Sequence, residues 1–181
     1  MSDDDARTNE EDAEHSGEEE RETVDVLVET PKGSRKKYEY DHERGVMRLD
    51  RRLASATLFP ADYGYVLETT GSDGEELDAL VLADEPHGAQ HVGGRSTGGS
   101  LLARDRQWPG GKDRRRPWGG SVWHEVVDIE HVPSHLKAEI ESFFEVYKLL
   151  EPTHHPSSGG FEGRDAATKA IAEARSRHSD T

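Results

Sequence analysis

Apolar residues are nearly absent from the start of the chain and then return with a regular rhythm. Residues 1–22, MSDDDARTNEEDAEHSGEEERE, cannot bury enough surface to offset the entropy of ordering them, so a disordered acidic tail is expected there. In VDVLVET, Val24, Val26 and Val28 alternate with other residues, the period of a strand. KYEY and VMRLDR flank the turn-rich DHERG and predict a hairpin. ELDALVLAD predicts another strand, with Asp78 near its start. The period then changes. In VPSHLKAEIESFFEVYKLLEP, Leu136, Ile140, Phe143, Phe144 and Tyr147 fall on one helical face, with Pro133 suited to the first turn and Pro152 following the end. RDAATKAIAEARSRH predicts a second, alanine-rich helix.

Residues 88–123 break the rhythm. They hold 9 of the chain's 18 glycines, all three tryptophans, and seven Lys or Arg against two Asp. Only SLLA resembles a strand, so periodicity reads the segment as a long loop, and a structureless loop of that length is improbable inside a compact domain.

Charge and composition narrow the class. The 181 residues suffice for one domain with tails, and the formal net charge is −15. Arginine outweighs lysine and the apolar fraction is low, which suits a protein kept hydrated at high salt, where repulsion is screened. There is no cysteine, so disulfide frameworks and thiolate chemistry are excluded. No apolar run reaches membrane-spanning length and the N-terminus is acidic, so a cytoplasmic protein with no membrane partner is expected.

The candidate chemistry centres on GSDGEELDAL, where Asp73, Glu75 and Asp78 crowd one short glycine-containing turn. Close carboxylates repel; a solvated loop tolerates that, and a cation site needs it. Lys37, Glu39, Arg51, Tyr63, Lys112, Tyr147 and Lys148 join them in a mixed polar set. Carboxylates with Lys, Arg and Tyr suit Mg2+ ions bridging to a phosphate substrate. From spacing alone, Lys37 and Arg51 could be exposed strand residues, Tyr147 serves a core as readily as a ligand site, and Lys148 could lie beside the apolar face with its amine in water. KDRRRPW could be a nucleic-acid patch, but it is short and the remainder is acidic, so no nucleic-acid partner is expected. The adjacent His154 and His155 have no further placed ligands and read as a solvated loop.

Several blocks together make the chain recognisable. KYEYD, RLDR, FPADYGY, the acidic turn with its following apolar strand, LVLADEP and FFEVYKLLE resemble, in order, those of the soluble family I inorganic pyrophosphatases. The resemblance covers residues 24–87 and 124–151 well, and 159–174 less closely. It implies an α+β, mainly β fold: a small closed OB-like β-barrel with two outer helices, over residues 23–176, with 177–181 as a tail. It further implies Mg2+-dependent hydrolysis of pyrophosphate to two phosphates by a homo-oligomer, with a hexamer among the family's assemblies.

Residue by residue, the resemblance gives Lys37, Arg51, Tyr147 and Lys148 as phosphate-binding positions, Tyr63 as a substrate contact and Glu39 as an acidic residue of the site. It gives Asp73 and Asp78 as metal ligands. Glu75 stands where the family has Asp at a position implicated in activating the water. Counting back from Pro133 without a gap, Lys112 falls on a phosphate-binding Lys, Asp105 on a metal-binding Asp, and Gly110 where another metal-binding Asp is expected. Length is kept across 88–123 while character is lost, as in an off-frame reading of GC-rich codons bounded by compensating shifts. Glu75 and Gly110 motivate the alternative, a catalytically impaired homologue that retains phosphate binding.

Overall fold

The computed structural model describes residues 23–88, 90–95, 102–104, 122–150 and 160–180. Alternation in VDVLVET becomes β1 (Thr23–Thr30), and the expected hairpin becomes β2 (Lys36–Asp41) and β3 (Val46–Arg52). The hairpin turn is closed by the Gly45 amide on the Asp41 carbonyl at 2.7 Å, with Gly45 in the left-handed region at φ 66°. FPADYGY supplies β4 (Asp62–Val66), and the acidic turn leads into β5 (Asp78–Leu82). The helices are α1 (Ser134–Val146), with Pro133 just ahead of its first turn, and α2 (Arg164–Ser179). α2 runs past the boundary placed at residue 176.

Two strands form within the segment that periodicity reads as a long loop, one of them overlapping the strand-like SLLA. β6 (Gln90–Arg95) pairs with β1 from Thr23↔Arg95 to Val28↔Gln90, and β7 (Leu102–Arg104) runs parallel to β5. Main-chain hydrogen bonds need no particular side chain, so an available strand edge recruits backbone that alternation does not mark.

The five-stranded sheet has the order β6-β1-β4-β5-β7, and β2 and β3 form a separate pair. Among the described residues no sheet closes on itself. β6 and β7 approach within 8 Å at some Cα positions, with no ladder between them among the described residues.

Both faces of the sheet are covered. Tyr63, Leu80 and Leu82 pack with Phe59 against Leu136, Ile140 and Phe143 of α1. Val24, Val26, Val28, Val66, Ala79 and Val81 pack with Ile171 of α2. Burial on two faces explains why β5 reads as an unbroken apolar run. At Gly64 a Cβ would lie 1.9 Å from the Leu27 carbonyl oxygen, so β4 sits this close to β1 only with glycine there.

Candidate active site

The acidic turn is built on its own backbone. The Gly71 amide donates to the Glu75 carbonyl at 2.6 Å, and the Glu75 amide to Asp73 Oδ1 at 3.2 Å. Buried Thr69 closes the neck: its hydroxyl donates to the Val66 carbonyl at 2.6 Å and accepts from the Leu77 amide at 3.2 Å. Gly74, at φ 92°, takes the left-handed position between the two acids. Asp73, Glu75 and Asp78 all reach solvent.

Asp78 opens β5 and meets the rest of the site. Surrounding protein displaces water from its carboxyl and pushes its pKa up, the Tyr63 hydroxyl and Lys37 pull it down, and Asp73 raises it. Asp78 keeps one side open to solvent, so crowding rather than enclosure causes the shift. Tyr63 is nearly buried, and burial with the neighbouring Asp78 charge holds its phenol strongly protonated. Its hydroxyl is engaged with Asp78.

β2 and β3 bring the cations. Lys37 and Arg51 are cross-strand partners. Lys37 Nζ lies 2.5 Å from Glu39 Oε1 and 3.8 Å from Asp50 Oδ2, and Arg51 Nε donates to Asp50 Oδ2 at 2.7 Å. Burial lowers the Lys37 pKa, but the Glu39 hydrogen bond and the two carboxylate charges outweigh it, so the net shift is upward. Lys37 stays charged and aimed into the site.

α1 completes the cluster from its C-terminal end. Tyr147 stacks on Phe143 with centroids 4.9 Å apart and meets Phe144 edge-on at 5.7 Å. Lys148 Nζ lies 5.2 Å from the Tyr147 ring centroid, and its charge reaches Asp78. Tyr147 also interacts with Tyr63. The Tyr147 ring thus packs against the core, beside Lys148 and Tyr63.

Residues 26–179 match the family described as inorganic pyrophosphatase. The inorganic pyrophosphatase of Methanosarcina acetivorans is 42% identical over 159 residues, 88% of this chain and 94% of that protein. That of Streptomyces coelicolor is also 42% identical, over 86% of this chain and 96% of its own. The crystal structure of the Thermus thermophilus enzyme superposes with a TM-score of 0.76 at 31% identity, covering 90% of this chain and 95% of the other. The chain belongs to the inorganic pyrophosphatase family.

Beside the candidate site lies a buried carboxylate that the sequence pattern does not single out. Glu29 lies in β1 among valines, is 9% exposed, and accepts from the Tyr40 amide at 2.7 Å. Burial raises its pKa to about 7, with the Tyr40 hydrogen bond and Lys37 opposing, and Glu39 and Asp78 adding to the rise. Glu29 alternates with the valines as Asp25 does, so the sequence carried no local signal that set it apart.

Asp105, Gly110 and Lys112 lie outside the described residues, as do His154 and His155. Among the described residues no three His, Cys, Asp or Glu side chains converge as a ready metal cage. Asp73 and Asp78 nevertheless fit a hard cation: both are oxygen donors, they repel each other, and Asp78 sits where losing water makes an opposite charge valuable.

Proposed function

We propose that the protein hydrolyses inorganic pyrophosphate to two orthophosphates with Mg2+. The observation that carries this reading is the meeting of Lys37, Tyr63, Asp78 and Lys148, from β2, β4, β5 and the end of α1, at one carboxylate in a chain of this family.

Asp73 and Asp78 hold the metal, with Asp105 as a third ligand. Bound there, Mg2+ would neutralise phosphate charge and acidify a water. Lys37, Arg51, Lys112 and Lys148 hold the phosphates as cations, and Tyr147 offers a hydroxyl to them. Tyr63 lies beside Asp78 and lowers the cost of its charge, while Glu39 fixes the Lys37 amine at 2.5 Å. Glu75 accepts the proton of the attacking water as its oxygen bonds to phosphorus, and the bridging P–O bond breaks with its electrons leaving on the second phosphate.

The reading extends to a cytoplasmic homo-oligomer adapted to high salt, which the −15 formal charge supports, and to a sheet closed as a barrel where β6 nears β7. An orthophosphate-release assay at low and high potassium chloride tests the activity. Two orthophosphates per pyrophosphate, dependent on Mg2+ and lost with EDTA, are expected. No release by folded protein at any salt concentration rejects the reading.

A further inference from the structure

The acidic turn is tied from outside by a helix distant in sequence. The Thr70 amide donates to the Ala174 carbonyl at 3.0 Å. Arg177 Nε donates to the Thr70 carbonyl at 2.8 Å, and the Thr70 hydroxyl lies 3.2 Å from His178 Nδ1. Both main-chain groups of Thr70 and its side chain are thus engaged by the last turns of α2.

Thr70 is flanked by the two residues that set the shape of the turn. Thr69 holds Val66 to Leu77, and Gly71 holds the turn closed on Glu75. A Cβ at Gly71 would lie 2.8 Å from Asp73 Oδ1, so the backbone here is packed directly against a candidate ligand. A displacement of Thr70 is therefore transmitted to Asp73 within the span of one loop. α2 itself is fixed: Ile171 and Ala174 are fully buried, with Ile171 against the valines of β1.

We propose that the last turn of α2 positions the metal-binding turn, with Arg177 as a positioning residue. The inference rests on the reading of Asp73 and Asp78 as Mg2+ ligands. Arg177 touches no substrate group; it acts through the Thr70 carbonyl. The arginine supplies a charged donor to a carbonyl at the base of the turn, and its loss leaves that carbonyl to water, freeing the turn to sample other geometries. Two nearby carboxylates repel, so a loosened turn drifts toward wider separations, where neither oxygen set suits Mg2+.

Arg177→Ala, Arg177→Lys, His178→Ala and the exposed control Lys169→Ala test this in the full-length protein. Amide hydrogen exchange across residues 70–78 is measured without metal, and Mg2+ binding by titration calorimetry without substrate. In Arg177→Ala, exchange in the turn rises about tenfold while β1 and β4 stay protected, and Mg2+ binds about tenfold more weakly, the effect of one charge-assisted hydrogen bond. Arg177→Lys restores part of both, His178→Ala gives a smaller change in the same direction, and Lys169→Ala gives none. A helix that only stabilises the fold would lower the melting temperature and leave Mg2+ affinity and local exchange at wild-type values; that result overturns the proposal. His178, exposed on the helix surface, keeps the test readable if Arg177→Ala does not fold. If the wild type binds no Mg2+, the metal reading fails, and unchanged or faster exchange in the turn still decides whether Arg177 positions it.

Discussion

The Tyr63 phenol and the Asp78 carboxyl influence each other electrostatically, coupling a residue of the α1-facing core to the first residue of β5. The Tyr63 ring cannot move without disturbing Phe59, whose centroid is 5.5 Å away, so the surroundings of Asp78 are fixed on this side. As the proposed metal ligand, Asp78 would then need less reorganisation on binding a cation.

Asp73→Asn and Asp78→Asn should each lower Mg2+-dependent turnover by about a hundredfold or more, a loss of roughly 3 kcal/mol in transition-state stabilisation. An amide presents an oxygen but not the charge that holds the cation. Both residues reach solvent, so the far-ultraviolet circular dichroism should not change. Near-wild-type turnover in both variants would remove them from the metal site.

Glu29 should make the metal-free protein less stable as pH rises. Its folded pKa of about 7 exceeds the ordinary 4.5, so the native state binds the proton more tightly than the unfolded chain. The contribution is complete below about 4.5, is lost as pH rises through about 7, and amounts to roughly 3 kcal/mol. Glu29→Gln keeps an acceptor for the Tyr40 amide and removes the titration. In EDTA it should melt higher than wild type at pH 8 and show a shallower slope between pH 5 and 8. Equal slopes for the two proteins would place the stability change elsewhere.

The candidate site was read from residues in regular elements, and the structure places them there: Lys37 and Glu39 on β2, Tyr63 on β4, Asp78 at the head of β5, Tyr147 and Lys148 just past α1. Glu29 was not, because a carboxylate inside an apolar strand follows the strand's period and offers no local pattern. β6 was not, because its pairing is made by backbone against β1, whereas β7 overlaps SLLA, the one strand-like stretch of that segment. The role of Thr70 was hidden by separation along the chain, since its partners Ala174 and Arg177 lie on the far helix.

Asp62 escaped notice for the same reason as Glu29, and its removal should be costly. Only 1% exposed, it accepts from the Lys32 amide at 2.6 Å, the His87 amide at 2.8 Å and His87 Nδ1 at 2.6 Å. The carboxylate ties the loop before β2 to the loop after β5. Asp62→Ala leaves buried donors without their acceptor and should destabilise the fold by about 3 kcal/mol or more. Asp62→Asn, which retains one oxygen, should lose less. Urea denaturation measures both, and a loss below about 1 kcal/mol for alanine would mean water replaces the carboxylate without difficulty.

The surface charge makes a prediction about solvent. With 38 acidic against 23 basic residues, self-repulsion opposes compaction at low ionic strength. Screening shortens the reach of that repulsion to about 3 Å in molar salt. The melting temperature should therefore rise steadily with potassium chloride. A melting temperature independent of salt would set aside adaptation to a saline cytoplasm.

Glu75→Asp should raise turnover. The Glu75 backbone is fixed at both ends, its amide on Asp73 Oδ1 and its carbonyl on the Gly71 amide, so the carboxylate cannot be repositioned by shifting the main chain. Its extra methylene must instead be absorbed by side-chain rotation, carrying the carboxylate about 1 Å beyond the place a shorter acid reaches. Misplacement on that scale can cost about a hundredfold when a base must meet a water aligned with phosphorus. The exposed glutamate also samples several rotamers, and aspartate, with one fewer torsion, loses less freedom in the reactive pose. The gain should appear in kcat with little change in KM, because the proton is transferred only as the water attacks. Mg2+ affinity measured without substrate should stay within about twofold, since the carboxylate charge is conserved. A fall in kcat would show that the surroundings of Glu75 are matched to the longer acid. An unchanged kcat together with full activity of Glu75→Gln would take proton transfer away from this residue.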